Sequence, residues 1–206
     1  ETVDGPVENR KMRRFNHAFD FIKDVATNGR SHPTYTTVGW WKPGDGGRRD
    51  ADVLMPWRYF DIDCKRDLEQ AAHDAKAVVD RLVGGGFDPF HGMHVSFSGG
   101  KGFHVRVSTA QLGLPYFMNS LHAKTTWKET FGDWCDTLHV DPQPFSPLTL
   151  IRTTGSSHGE TGNRKWTVAA PDFSVETAMQ MVELQMDGFR LDMETVRASD
   201  TLIDEP

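Results

Sequence analysis

The sequence predicts a mixed α/β or α+β protein folded as one compact unit. Its 206 residues are enough for one domain with a real hydrophobic core. Hydrophobic residues at 37% and charged residues at 25% are the balance of a folded chain rather than a disordered one. Segments with strand alternation interleave with segments of helical periodicity, and no internal repeat or low-complexity linker separates them. One domain over residues 1–206 is therefore expected, its last part (174–206) helical.

The elements follow in order. From Arg13 to Ala26, Phe15, Ala18, Phe19, Ile22, Val25 and Ala26 recur at helical spacing, and "NGR" ends the run. "TYTTVGWW" (34–41) is β-branched and aromatic and reads as a strand, followed by a Gly-rich loop over 42–52. "WRYFDID" (57–63) is a second strand, with Phe60 and Ile62 on one face and Tyr59, Asp61 and Asp63 on the other. Residues 67–83 form a helix whose stripe is Leu68, Ala71, Ala72, Ala75, Val78, Val79 and Leu82, closed by "GGG". "MHVSFSGGKGFHVRVS" (93–108) reads as two strands around a Gly-rich turn, and a third helix is expected from Pro115 to about Cys135. An irregular stretch and two short helices beyond Ser174 complete the chain.

Composition narrows the function. A net charge of −6 argues against a general polyanion-binding surface but leaves room for a local basic groove. Two basic clusters, Arg10–Arg14 and Arg48–Arg49, read first as solvated surface and second as strand-tracking patches. No apolar run is long enough for a membrane helix, so no membrane partner is expected. The opening "ETVDGPVENR" has no signal-peptide character and lacks Met, as in an excised domain. Free thiols at Cys64 and Cys135 fit an intracellular protein. The two cysteines form no C-x-x-C pair, and Cys135 with His139 is only half a zinc site, so ordinary packing is expected and no zinc.

Four segments carry chemistry. Asp61 and Asp63 project from one strand face, too close for a separated acid and base but well spaced to share divalent ions. In "SGGKGFH", Ser98 and His104 flank a turn whose glycines let backbone amides approach an anion, with Lys101 adding a point charge. This is a triphosphate cradle without the P-loop pattern. Asp141 in "HVDPQPF" supplies a third carboxylate, and three on neighbouring strands can hold two Mg²⁺ or Mn²⁺ ions. "IRTTGSSHGETGNRK" gathers Arg152, His158, Arg164 and Lys165 around Gly-containing turns beside Trp166, donors suited to phosphate and base contacts.

In order, then, the chain offers D-x-D, S-G-G-K-G-x-H, a strand-end Asp, and R-x-x-G-S-x-H-x-x-T-G. This set resembles the catalytic core of the archaeo-eukaryotic primase superfamily, which includes small primase subunits and primase-polymerases. "YFDID" matches its first motif closely, "SGGKGFH" its second very closely and "HVD" its third loosely; "RTTGSSHGETG" resembles the nucleotide-binding stretch of small primase subunits. The matched motifs span 59–165. The cysteine-based zinc knuckle of many members is missing. Polymerase domains of bacterial end-joining ligases share the second element but read differently after the third.

The resemblance implies an RNA-recognition-like catalytic module with a mixed or antiparallel sheet, joined to a second α/β unit. It implies that Asp61, Asp63 and Asp141 hold two metal ions and are the catalytic residues. Ser98, Lys101, His104, Arg152, His158 and Lys165 would bind the triphosphate, with Arg164 as the alternative to Lys165. The implied activity is template-directed nucleotidyl transfer, making or extending primers on single-stranded DNA from (d)NTPs. A helicase or another replication protein is the implied partner. The rival readings are a noncatalytic nucleotide- or nucleic-acid-binding member of a replication complex, an end-joining polymerase domain, and a nuclease or sugar transferase using D-x-D alone.

Overall fold

The structure is a computed structural model that describes residues 2–4, 11–13, 23, 33–41, 51–64, 67–114 and 117–186. In chain order its elements are β1 (Thr2–Asp4), β2 (Lys11–Arg13), β3 (Thr34–Thr37), β4 (Trp40–Trp41), β5 (Asp52–Leu54), β6 (Trp57–Asp63), α1 (Leu68–Gly84), β7 (Met93–Phe97) and β8 (Gly102–Ser108). Then follow β9 (Phe117–Asn119), α2 (Ser120–Phe131), α3 (Asp133–Thr137), β10 (Val140–Asp141), β11 (Leu150–Arg152), β12 (Trp166–Ala169) and α4 (Val175–Met186). The fold is α+β, and the strand pairings among the described residues are antiparallel.

The main sheet has five strands in the order β10-β6-β8-β7-β12. Because β6 and β7 both run antiparallel to β8, they run parallel to each other, and α1 makes the crossover between them. One sheet face is apolar: Phe60, Ile62, Phe103, Val105, Val107, Met93, Val95 and Phe97 are buried there in one cluster with α1, α2 and α4. α1 starts where Asp67 accepts the Gln70 amide at 2.9 Å, and Gly85 closes it by donating to the Arg81 carbonyl at 2.9 Å. Phe60 sits among the aromatic rings of α2 and α3, with centroids 5.0 Å from Trp127 and 5.1 Å from Trp134. The other face of the same strands is left for polar residues.

Two smaller sheets complete the described fold, β11-β3-β1-β2 and β4-β5-β9. They show why the strand expected over 34–41 is two strands. At Val38 and Gly39 the amides bond to the carbonyls of Thr149 and Pro147, at 2.9 and 2.8 Å, so the chain leaves one sheet and enters the other. Of the loop expected over 42–52, residues 42–50 lie outside the described residues and Asp52 begins β5, which places Val53 opposite Met118 of β9. The third helix begins at Ser120 rather than Pro115, capped by Asn119, and is split near Gly132 into α2 and α3. Of the helix expected from Arg13 to Ala26, Lys23 is helical and Arg13 ends β2; the rest lies outside the described residues. The second of the two C-terminal helices also lies outside them.

Phe60 is fully buried on the strand that carries the two aspartates. Phe60→Ala should lower unfolding free energy by roughly 3–5 kcal/mol, read from urea denaturation, through lost transfer energy and the cavity left among the rings.

Candidate active site

Register assembles the polar face of the main sheet. Asp141 pairs with Asp61, Asp61 with His104, His104 with Ser96, and Ser96 with Thr167. Residues directly opposite in antiparallel strands point to the same face. One row therefore crosses all five strands as Asp141, Asp61, His104, Ser96, Thr167. Asp63 lies two residues along β6 from Asp61, on the same face and opposite Gly102. The three predicted carboxylates thus meet at one end of the sheet, with His104 adjacent.

His104 is buried and held on both ring nitrogens. Its Nε2 lies 3.2 Å from Asp61 Oδ1, and its Nδ1 lies 2.8 Å from Lys165 Nζ. Lys165 is itself buried, donates to the Arg152 carbonyl at 2.8 Å and stands 6.0 Å above the Tyr59 ring. Burial, and then the charge of Lys165, pull the pKa of His104 down, so the ring is neutral. Lys165 then donates to Nδ1, which leaves the imidazole proton on Nε2, toward Asp61. Burial, and then Arg152, bring Lys165 down to about 7, against the opposing pull of Asp61. Burial alone would raise Asp61, but His104, Lys165 and Lys101 outweigh it and hold the carboxylate below its usual range. Of the two adjacent basic residues, Lys165 is the one that meets His104.

The Gly-rich turn closes over the carboxylate end. Ser98 Oγ accepts the amides of Gly100 and Gly102 at 3.4 and 3.3 Å. Lys101, half exposed, reaches back to Asp63 Oδ2 at 2.5 Å, and that hydrogen bond raises its pKa. The other oxygen, Asp63 Oδ1, is buried without a hydrogen-bond partner. One approach requires glycine and a second is tight. A Cβ on Gly102 would stand 1.9 Å from the Ile62 carbonyl oxygen, and one on Gly100 would stand 2.8 Å from His158 Nε2.

The loop after β11 supplies the remaining wall. Thr161 Oγ1 donates to the Gly99 carbonyl at 2.6 Å, which ties this loop to the turn. His158 Nδ1 accepts the amides of Glu160 and Thr161, both at 3.3 Å, which leaves Nε2 as the donor facing Gly100. Arg152 is buried, and its Nη1 has no hydrogen-bond partner although it lies beside Gly99. Of the nine sequence-predicted site residues, Asp61, His104 and Asp141 lie on the row, Asp63 two residues along β6, Ser98 and Lys101 in the turn, Arg152 at the end of β11, and His158 and Lys165 in the loop after it. Sequence reading missed Thr167 and the row's far end. Thr167 Oγ1 lies 2.8 Å from Ser96 Oγ and 3.0 Å from Thr154 Oγ1. The alternation in "WTVA" is the signal, too short to separate from the loop around it.

No protein-family model and no curated protein matches this sequence. Among solved structures, the polymerase domain from Mycobacterium tuberculosis Ligase D in complex with DNA aligns with a TM-score of 0.50 at 16% identity, over 87% of this chain and 68% of that one. The AEP domain of cyanophage S-2L primase-polymerase (PrimPol) aligns with a TM-score of 0.49 at 14% identity, over 88% of each chain. At such identities the likeness is one of fold. This chain shares with that Ligase D polymerase domain an α+β fold built on antiparallel sheets.

The close approach of Gly102 to the β6 backbone gives a test of the turn. Gly102→Ala should destabilise the protein by roughly 1–3 kcal/mol in urea denaturation, because the methyl meets a backbone carbonyl that the ladder holds in place.

Proposed function

We propose that this chain is a divalent-metal-dependent nucleotidyltransferase of the primase-polymerase kind. It adds nucleotides from a (d)NTP to a 3′-hydroxyl along a single-stranded DNA template. The observation that carries the reading is the meeting of three carboxylates, Asp61, Asp63 and Asp141, with a glycine turn and a buried arginine that has an unpartnered donor. A pure nucleotide binder has no use for clustered carboxylates beside phosphate, where they repel.

The carboxylates suit Mg²⁺ or Mn²⁺: every donor is oxygen, and the buried Asp63 Oδ1 lacks a partner. Bound ions would lower the pKa of the attacking 3′-hydroxyl and stabilise charge on the departing pyrophosphate. The chain's own residues do the rest. Lys165 and His104 orient Asp61 and keep it ionised. Ser98, Lys101, Arg152 and His158 surround the place where the triphosphate lies, with Arg152 Nη1 and His158 Nε2 as preset donors. Lys101 neutralises Asp63 in the free protein, and its long exposed side chain moves to a phosphate oxygen when nucleotide enters.

Asp61→Asn and Asp63→Asn should each reduce incorporation on a primed single-stranded template at least about 100-fold. Asp61→Asn should also lower thermal stability, because the fold favours the ionised carboxylate through its cationic neighbours, while Asp63→Asn should leave it nearly unchanged, its ion pair with Lys101 being partly exposed. Full activity in both variants would overturn the metal assignment. A gel of products from bare single-stranded DNA separates the activities: new oligonucleotides mean priming, growth only with an annealed primer means polymerase, and shortening rejects the proposal.

Lys101→Ala should raise the KM for nucleotide roughly tenfold or more, by loss of a charged phosphate contact. It should also tighten Mn²⁺ binding about two- to fivefold by freeing Asp63 from an exposed ion pair. An unchanged KM would remove Lys101 from the cradle.

A further inference from the structure

Directly behind the carboxylates lies a second cluster that nucleotidyl transfer does not use. Cys64 follows Asp63 at the end of β6 and turns to the opposite, buried side, where it meets α1. There Asp74 is buried within the apolar stripe of the helix, between Ala72 and Ala75. Its Oδ1 accepts from Gln70 Nε2 at 2.9 Å, while Oδ2 lies 3.7 Å from Cys64 Sγ and 2.7 Å from His139 Nδ1. His139 precedes β10 and is the non-glycine residue with positive φ (48°) among those described. Its backbone carbonyl accepts the Asp63 amide at 3.2 Å, so the cluster closes the open end of the β6–β10 pair.

The structure assigns this cluster a role that hydrogen bonding alone does not require: we propose that Cys64, Asp74 and His139 form a Zn²⁺ site with water in the fourth position. The ligand atoms, one sulfur, one carboxylate oxygen and one imidazole nitrogen, all lie within 4.8 Å of one another. Zinc–ligand bonds of about 2.0–2.3 Å at tetrahedral angles separate ligand atoms by about 3.3–3.6 Å, between the two distances found here. Each ligand needs to shift by only a fraction of an ångström. The His139 side chain is 59% exposed, which leaves an entry path and room for the water. The thiolate selects zinc over the hard ions that the all-oxygen site takes. On binding, the Cys64 thiol proton leaves to solvent and the Sγ–zinc bond replaces it. A bound ion ties the strands carrying Asp63 and Asp141 to α1. The expectation of no zinc considered His139 with Cys135; the fold instead brings it near Cys64, on either side of Asp74.

The test uses the intact chain and the metal alone. Protein dialysed against Mg²⁺ should retain about one equivalent of zinc. Replacement by Co²⁺ should produce the near-ultraviolet thiolate-to-cobalt band, which an all-oxygen site cannot give. Cys64→Ser should abolish that band. His139→Ala, a change at an exposed side chain, should weaken zinc binding at least about 100-fold with the fold intact by circular dichroism. No retained zinc and no thiolate band in the wild-type chain would overturn the proposal, leaving a hydrogen-bonded trio. A band that survives Cys64→Ser would overturn it as well. Neither result bears on nucleotide incorporation, which is measured separately.

Discussion

Everything at the candidate site depends on the register of β6 against its two neighbours. Asp61 lies opposite His104 on one side and opposite Asp141 on the other. A slip of one residue would turn both aspartates of β6 into the core and bring Phe60 and Ile62 out to solvent. The apolar face therefore enforces the polar face that carries the carboxylates. Burying Phe60, Ile62, Phe103 and Val105 beneath the helices is the same event as bringing the carboxylates together. Like charges opposite one another are unfavourable, and the ladder holds them there against that repulsion. A cluster of this kind gains from any cation that enters it, and in the free protein that cation is the Lys101 ammonium.

Below the carboxylates the polar chemistry is buried rather than solvated. Lys165, His104 and Arg152 are all removed from water; the side chains of Lys165 and His104 have directed partners, and Arg152 offers its backbone carbonyl to Lys165. Buried charges without partners are costly, and satisfied networks fix geometry. The path from the Arg152 carbonyl through Lys165 and His104 to Asp61 holds one carboxylate in a single orientation. Two donor and acceptor atoms stand outside this economy, Arg152 Nη1 and Asp63 Oδ1. One is positive and the other negative, and they stand on either side of the Gly-rich turn.

Long periodic segments were readable in the sequence. The α1 stripe repeats over several turns, and the β7–β8 hairpin alternates over enough residues to assign faces. The short strands were not: β9, β10 and β11 each have two or three residues, fewer than a period needs, and only partner strands from elsewhere in the chain define them. The same limit explains Arg164 against Lys165. The bridge between Ser157 and Arg164 and the bond from the Lys165 amide to the Ser156 carbonyl decide which side chain turns inward. Cys64, Asp74 and His139 are far apart in sequence and share no spacing motif. The readable hint was Asp74, a carboxylate among the alanines of an otherwise apolar helix face.

The approach of Gly100 to the His158 ring couples two segments that are more than fifty residues apart in the chain. With Thr161 hydrogen-bonded to the Gly99 carbonyl and His158 filling the space above Gly100, the turn and the later loop interlock. Neither segment can be exchanged for a foreign one alone: a side chain at position 100 evicts the imidazole, and a bulkier group at 158 evicts the turn. Such contacts make substitutions non-additive. Substitutions in the turn and in the later loop should therefore be read together, since the effect of either depends on the other.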